Sequence, residues 1–239
     1  MPGTLDIIES QRSGSTVCSP AEKPILFSGE MVRAILDGTK TQTRRIIKPQ
    51  PDTWRHDERG FEFNRTDEHR PVFADTFAKN YSPYGQPGDR LWVRETWKTG
   101  CNLDKYSPKQ IRETYEDAGY RLGDRKNGKC CPMLYISDGE HKRWGDHDIA
   151  DFGEWGKTRV SIHMPRWASR ITLEINGVRI ESLHDITEDD ARAEGVSTQL
   201  NGKGILSNVE AFRMLWTRIN GASSWTQNPW VWVVEFRRI

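Results

Sequence analysis

The stretch PWVWVVEF, residues 229–236, decides how we interpret the fold of this 239-residue chain. Pro229 suits the beginning of a strand, because proline cannot donate a ladder hydrogen bond. The residues that follow it are apolar at consecutive positions, which is typical of a strand that is covered on both faces. We therefore expect a central, buried strand here, with the other elements arranged around it.

Shorter stretches before this one also show strand patterns. In TQTRRII, polar and β-branched residues alternate. In RLWVRE, Leu91 and Val93 alternate with Trp92 and Arg94. Asn176-Gly177 lies between RITLEI and VRIESL, where it predicts either a hairpin turn or a bulge. The five stretches are KPILF (23–27), TQTRRII (41–47), RLWVRE (90–95), RITLEI (170–175) and VRIESL (178–183).

Three helices are predicted between these strands, and each has a recognisable start. Ser28 is a plausible N-cap for the helix in GEMVRAIL. The helix in TEDDARAEG begins at Thr187, with Asp190 making a weaker capping box. The helix in SNVEAFRMLWTRING begins at Ser207, with Glu210 giving a full capping box. Strands outnumber helices, so we predict an α+β fold with a curved sheet or small barrel flanked by short helices.

Two segments interrupt these regular patterns. The first insertion covers residues 48–80, and within it PDTWRHDERGFEFNRTDEHRP (51–71) shows no sustained period and is interpreted as an inserted loop. Residues 98–164 are polar and glycine-rich, and we expect an elaboration there with one or two short strands, one of them in MLYIS (133–137). Residues 1–23 are predicted to be a flexible leader, and residues 24–239 a single domain that carries both insertions.

Composition limits the classes of partner. The net charge is +1, so any nucleic-acid contact depends on a local patch such as residues 33–48. No apolar run approaches the ~20 residues that span a bilayer, and the leader lacks the features of a signal peptide. We expect a cytoplasmic protein of a bacterium or a phage-infected cell, with no membrane partner and no obligatory protein partner.

The cysteines do not form a convincing zinc pattern. Two of the four are adjacent, and none belongs to a C-x2-C pair. The histidines are scattered and form no clear site. We expect reduced thiols, no metal and no cofactor. The residues weighed for a zinc cluster are Cys101, Cys130, Cys131, His141 and His147; the fourth cysteine is Cys18.

The stretch GTKTQTRR (38–45) has two interpretations. It contains a lysine, three threonines and two arginines, and no apolar side chain. It can be a solvated edge strand in which Lys40 guards against pairing with another chain. It can equally be a place where a lysine and a threonine hydroxyl do chemistry. Its composition leaves both interpretations open.

The motifs taken together resemble the ASCH family of PUA-like proteins. The resemblance rests on their order in the chain, and its core covers residues 24–47, 86–97 and 167–236. It implies a small PUA-like β-barrel that binds a modified nucleoside or an RNA base. The insertions are long compared with the smallest members, and SIHMPRWASR (161–170) also resembles the ASCH proteins carried by phages and prophages. The motifs are ILDGTKTQTRR, PGDRLWVRETW, DITEDDARAEGV, FRMLWTRING and PWVWVVEF.

One branch of that family is an amidohydrolase that removes the acetyl group from N4-acetylcytidine. Its G-x-K-T-x-T-x-R pattern is matched from Gly38 to Arg45, and its L-T-E-x-x-A-x-x-E pattern is matched with Ile in place of Leu. The resemblance implies that Thr43 is the nucleophile, Lys40 the proton acceptor and Glu194 the proton donor. Arg45 would orient the substrate or stabilise the oxyanion.

This chemistry sets two conditions on Lys40. A lysine accepts a proton only when neutral, so its pKa must fall below the usual ~10.4 through burial or through neighbours such as Arg44. Side chains three positions apart on a regular strand point to opposite faces. We therefore expect Lys40 to lie in a turn after Gly38, with the strand beginning later. Trp92 is a further candidate for the cleft.

Two other classes of function remain in view. PUA-like barrels commonly hold RNA or a modified base, so the chain can be a binding module, with RNA cleavage as a variant. It can also be a phage accessory protein with a degenerate site, kept for contacts made by its insertions. The complete Lys-Thr-Glu set favours the enzyme over the accessory protein. The near-zero net charge disfavours a tight, nonspecific RNA binder.

Overall fold

The computed structural model of this protein describes residues 19–50, 54–57, 60–64, 71–117, 133–139, 143–144, 154–200 and 204–239. The strands in these ranges are β1 (Glu22–Leu26), β2 (Gln42–Ile46), β3 (Trp54–Asp57), β4 (Gly60–Asn64), β5 (Pro71–Phe73), β6 (Arg90–Arg94), β7 (Trp97–Thr99), β8 (Met133–Tyr135), β9 (Arg143–Trp144), β10 (Thr172–Ser182), β11 (Gln199–Leu200), β12 (Gly204–Ile205) and β13 (Trp230–Arg238). The helices are α1 (Gly29–Leu36), α2 (Ala74–Tyr81), α3 (Pro108–Asp117), α4 (Glu188–Ala193) and α5 (Asn208–Asn220). None of these helices has the length and apolar character needed to cross a bilayer.

The main sheet is mixed and has five strands in the order β1-β6-β10-β13-β2. Only β1 and β6 pair in parallel; the other three pairings are antiparallel. The predicted α+β class is confirmed. The expected closed barrel is not seen, because the described strands leave β1 and β2 as open edges of the sheet.

Strand β13 lies inside the sheet between β10 and β2, as its sequence predicts. Its consecutive apolar residues supply both faces. Trp232, Val234 and Phe236 pack into a core with α1 and α2 on one face. Val231 and Val233 pack into a second core, built with α4 and α5, on the other. Because neighbouring side chains on a strand point to opposite faces, two cores require an apolar residue at every position.

The two stretches on either side of Asn176-Gly177 form one strand. β10 runs unbroken through eleven residues and pairs with β13 along its length, with a register shift between Ile175 and Gly177. The bulge interpretation is confirmed, and the hairpin alternative is wrong. A partner as long as β13 can pair with both halves, so the extra residue is accommodated as a local bend.

All three helix starts agree with the sequence, and Ser207 is the N-cap of α5 as predicted. The Ser28 side chain accepts a hydrogen bond from Met31, and the Thr187–Asp190 capping box is complete. At α5 the prediction of a full box is wrong, because only the bond from the Glu210 amide to Ser207 is formed. The carboxylate of Glu188, at the start of α4, accepts from the first amides of α5 instead. A tertiary contact thus supplies part of the cap.

Both insertions contain regular structure. The loop expectation for residues 51–71 is wrong, because β3, β4 and β5 form a small antiparallel sheet. After this sheet, α2 packs on the main core. The second insertion forms a sheet of β7, β8 and β9, in which β8 confirms the strand expected in MLYIS. Its helix α3 was not predicted. Ile111 is the one fully buried residue of α3. Because a single apolar position makes no helical stripe, the sequence pattern did not indicate this helix.

A buried ionic cluster fastens the second insertion to the main sheet. We call Arg170, Glu95, Ser137 and Asp138 the pinning cluster. The Arg170 guanidinium donates to Glu95 Oε1 at 2.8 Å, to Asp138 Oδ1 at 2.7 Å and to Ser137 Oγ at 2.9 Å. The guanidinium carbon of Arg170 also lies 4.1 Å from the centroid of the Tyr135 ring. Every buried side-chain polar atom of this cluster has a partner.

Candidate active site

Lys40 lies in the turn that the chemistry requires. Helix α1 is followed by Gly38 at φ +77°, a conformation that glycine adopts without strain. The Lys40 amide then donates to Ala34 O at 3.0 Å, and β2 begins only at Gln42. Lys40 forms an isolated antiparallel bridge with Glu194, the residue that caps the end of α4. The end of α4 therefore sits beside the start of β2.

The Lys40 ammonium is buried and fully hydrogen-bonded. Its Nζ donates to Gln42 O at 2.7 Å, to Glu194 O at 2.9 Å and to Glu194 Oε2 at 2.8 Å. An ammonium has three donors, and all three are used. The residue is 2% exposed, which contradicts the solvated-edge interpretation of this stretch, although β2 is an edge strand.

A glycine next to the pair permits this close approach. Gly195 has a φ of +72°, and a Cβ placed on it would lie 2.7 Å from Lys40 Cβ and 2.8 Å from Ala34 Cβ. Any other residue would push the end of α4 away from the turn. Gly195 was not among the residues predicted for the site. Its position directly after a short helix that ends in Glu194 was the available signal.

Arg44 lies on the other side of the Glu194 carboxylate. Its side chain is fully buried, and its Nη2 donates to Glu181 Oε2 at 2.8 Å and lies 3.4 Å from Asp190 Oδ2. Its Nη1 is 3.5 Å from Glu194 Oε1, an ion contact without hydrogen-bond geometry. Arg44 Nε, Arg44 Nη1 and Glu194 Oε1 are buried without a hydrogen-bond partner among the described residues.

Burial is the main influence on the charge of Lys40. It lowers the pKa of this lysine, since a low-dielectric surrounding disfavours the charged form. The Glu194 carboxylate raises the pKa and partly offsets burial, while Arg45 and Arg44 lower it further. The net direction is downward, as proton acceptance by Lys40 requires.

A cleft of about 290 Å³ opens beside this pair. Thr43 and Glu194 both lie in its wall, and Lys40 is buried behind Glu194. Thr43 has no side-chain hydrogen bond to any described residue, Lys40 included. We call Lys40, Glu194, Arg44 and Thr43 the cleft cluster. Residues 43–46 of β2 line one side of the cleft, and α5 lines the other with Phe212, Leu215, Trp216 and Ile219.

The remaining wall of the cleft carries two basic side chains, Arg45 and Lys48, and the ring of Tyr84. Arg45 donates to Leu26 O at 2.6 Å, and its guanidinium carbon lies 5.4 Å from the centroid of the Phe27 ring. Among the described residues no carboxylate pairs with Arg45 or with Lys48. Burial raises the pKa of the neighbouring Tyr84, against the charge of Arg45. A planar ligand with partial negative charge would suit this wall.

The structure does not bring every predicted residue to the cleft. Trp92 lies on β6, three places away from β2 in the sheet, and Arg94 stacks on its ring at 4.7 Å. Neither Trp92 nor Gly38 is in the cleft wall, and Gly38 serves the turn alone. Tyr84 and Glu181 were not predicted from the sequence. No sequence signal marked Tyr84, and the alternating pattern of β10 identified Glu181 only as a strand residue.

The zinc hypothesis falls largely outside the described residues. Cys18, Cys130, Cys131, His141 and His147 all lie there, as does most of the predicted leader. Within the described ranges, no three histidine, cysteine, aspartate or glutamate residues are grouped so that they could hold a metal ion.

Comparison with known proteins identifies no relative, so the function is inferred from the geometry of the cleft. No family model, curated protein or solved structure matches the chain.

Proposed function

We propose that this protein is an amidohydrolase that removes the acyl group from an N-acylated nucleobase or nucleoside, with N4-acetylcytidine as the substrate to test first. The observation that carries the proposal is the buried Lys40–Glu194 pair behind a cleft whose wall contains the Thr43 hydroxyl. Amide hydrolysis needs a nucleophile, a proton acceptor and a proton donor. One residue of a suitable kind is available for each role.

The pair can exist in two forms that differ in the position of one proton. In one form Lys40 is an ammonium and Glu194 a carboxylate. In the other Lys40 is a neutral amine that donates to two backbone carbonyls and accepts from a protonated Glu194. The contacts of Nζ fit both forms, since two of its partners are carbonyls and the third is Glu194 Oε2. Burial favours the uncharged form.

The first half of the reaction starts from the neutral form. Thr43 Oγ1 attacks the acyl carbon, and its proton passes to the Lys40 amine. The carbon–nitrogen bond then breaks, and the leaving nitrogen takes the proton from Glu194. The products are the free base, an acyl ester on Thr43 and the ion pair of Lys40 and Glu194. Catalytic hydrogen bonds are often long without substrate, so Lys40 must exchange one contact for Thr43 when substrate binds.

The second half restores the starting state. Water attacks the ester and gives a proton to the Glu194 carboxylate. The ester bond breaks, and Thr43 Oγ1 takes a proton from the Lys40 ammonium. The carboxylic acid leaves, and the pair returns to its neutral form. Arg44 is part of the cleft wall, and its Nε and Nη1 are buried without a hydrogen-bond partner among the described residues. We assign to these N–H groups the stabilisation of the oxyanion in both halves.

We also propose that the chain is an ASCH-type, PUA-like protein whose sheet corresponds to an opened barrel. Two observations support this. The three segments that carry the resemblance contribute β1, β2, β6, β10 and β13 to one sheet. The two motif segments that resemble the deacetylase branch meet at the Lys40–Glu194 bridge, although 154 positions separate them.

A second candidate is a module that binds a modified base or RNA without cleaving it. The observation in its favour is that all three donors of Lys40 are occupied and that none of them contacts Thr43. In that case Lys40 would only clamp α4 to β2. The aromatic and basic wall of the cleft would serve for binding alone.

A turnover assay tests the proposal. The purified chain is incubated with N4-acetylcytidine, and cytidine and acetate are followed by chromatography. We expect the two products in equal amounts and in proportion to enzyme. If N4-acetylcytidine binds in the cleft and no cytidine is released, the hydrolase proposal fails and the binding module takes its place.

A further inference from the structure

The cleft lies along the free edge of a strand. It is lined by four consecutive residues of β2, Thr43 to Ile46. Side chains of successive strand residues point to opposite faces of a sheet, so a cavity that touches all four must run along the strand edge. β2 is an edge strand, and its other side is paired with β13.

The pairing register shows which backbone groups of β2 face the cleft. The Ile47 amide donates to Trp230 O at 3.0 Å, and the Phe236 amide donates to Thr41 O at 2.8 Å. In an antiparallel ladder, hydrogen-bonded residues alternate with residues whose N–H and C=O point the other way. The odd residues of β2 therefore bond to β13, and Gln42, Arg44 and Ile46 direct their peptide groups to the free edge.

One of these outward residues is already engaged by the site. Gln42 O accepts from Lys40 Nζ at 2.7 Å, which independently confirms that the even residues face away from β13. Glu194 lies on the same side, because it bridges Lys40 just before the strand. The next outward residue is Arg44. In the part of the chain that the structure describes, its amide N–H and its carbonyl have no partner.

We propose that the Arg44 peptide edge reads the base of the substrate through one donated and one accepted hydrogen bond. This rests on the proposed function and names the ligand chemistry that it requires, a planar ring with an acceptor adjacent to an N–H donor. The hydrogen-bonding edge of an N4-acylated cytosine has this pattern, with N3 as acceptor and the remaining N4–H as donor. The Arg44 N–H donates to N3, and the Arg44 carbonyl accepts from N4–H.

Two further observations favour a flat base over an added peptide strand. The cleft of about 290 Å³ is closed on its far side by Phe212 and Trp216 of α5, so it is too short for an extended chain. Unpaired peptide groups on the wall of an open cleft are available to a ligand that takes the place of water there. The side chain of Arg44 adds buried Nε and Nη1 donors that have no hydrogen-bond partner in the described ranges.

The test follows individual backbone amides. A ¹⁵N-labelled Thr43→Ala chain, which keeps the ligand intact, is titrated with N4-acetylcytidine by NMR. We expect the Arg44 amide proton to shift downfield and its exchange with solvent to slow at least about fivefold. The amides at position 43 and at Arg45 are internal controls, because they are bonded to β13 and should change little.

Two ligand analogues test the pairing from the other side. The 3-deaza analogue lacks the ring acceptor, and the N4-methyl analogue lacks the N4–H. Each should bind roughly tenfold more weakly than N4-acetylcytidine, because one partner at the strand edge is left unsatisfied. The inference is overturned if N4-acetylcytidine binds while the Arg44 amide changes no more than the Arg45 amide. It is also overturned if no member of this set binds, or if both analogues bind as tightly as N4-acetylcytidine.

Release of cytidine by the unaltered chain is measured in parallel, so that the two proposals can fail separately. Turnover with an unresponsive Arg44 amide leaves the hydrolase standing and removes the base-reading edge. A responsive amide without turnover leaves the edge as the recognition element of a binding module.

Discussion

The pinning cluster and the cleft cluster are both buried sets of opposite charges, and they differ in how many of their polar atoms are satisfied. In the pinning cluster, Arg170 is bonded to two carboxylates and a hydroxyl, and no buried side-chain polar atom lacks a partner. In the cleft cluster, Glu194 Oε1 and two nitrogens of Arg44 have no hydrogen-bond partner among the residues that the structure describes. The second cluster also borders a cavity of ligand size, and the first contributes nothing to it.

Under the proposed function, this difference corresponds to a structural role for the pinning cluster and a functional role for the cleft cluster. A fully satisfied buried network holds elements in one arrangement, as the pinning cluster does between the second insertion and the main sheet. A buried network with missing partners costs stability, and native proteins retain such groups chiefly at functional sites. The comparison therefore predicts opposite effects of mutation on activity and on stability at the two places.

The largest effect is expected from Thr43→Ala. Loss of the nucleophile should reduce cytidine release by at least about 10³-fold, while the melting temperature stays close to that of the unaltered chain. Thr43→Ser is the matched control, since it keeps a hydroxyl and should retain measurable turnover. Equal activity of Thr43→Ala and the unaltered chain would remove Thr43 from the mechanism and end the contrast with the pinning cluster.

Lys40→Arg should be nearly as inactive, because a guanidinium stays protonated and cannot accept a proton. Its larger head group also enters a fully packed place, so stability is measured with activity. The double variant Lys40→Met/Glu194→Gln separates the two effects. Removing both charges avoids the ~3–5 kcal/mol cost of leaving one of them unpaired, so this chain should fold and remain inactive. Wild-type turnover by Lys40→Arg would exclude Lys40 as the base.

In the pinning cluster the expected effect is on stability. Arg170→Met leaves Glu95 and Asp138 as buried carboxylates without their cation and should lower the free energy of unfolding by about 3–5 kcal/mol. Turnover per folded molecule should be unchanged, because the cluster lies outside the cleft. Chemical denaturation combined with the cytidine assay at low temperature measures both quantities. A selective loss of turnover would mean that the two clusters are coupled.

The smallest effect is a pH dependence confined to the cleft cluster. The proposed mechanism starts with one proton on the Lys40–Glu194 pair, so kcat/KM should fall where alkaline pH removes that proton. Burial lowers the pKa of Lys40, so the alkaline fall should have its midpoint below the ~10.4 of a free lysine. Arg170→Met should show the same profile. Activity that kept rising beyond pH 10.4 would contradict the need for a proton on the pair.

The sequence by itself determined the strands and helices whose patterns are local. The consecutive apolar residues of β13 required two covered faces, the caps at Ser28 and Thr187 fixed helix starts, and Gly38 required a turn before β2. The resemblance added the candidate residues Lys40, Thr43 and Glu194. These signals are readable because each depends on residues within a few positions of one another.

Only the tertiary structure decided which of those residues are in contact and which of them line the cleft. The bridge between Lys40 and Glu194, the exclusion of Trp92 from the cleft and the placement of Tyr84 in it all depend on sheet order, which no local pattern contains. The same holds for the free edge of β2, since a strand pattern is identical whether one or both sides are paired. Burial follows from this long-range packing, and burial sets both the pKa of Lys40 and the unsatisfied donors of Arg44.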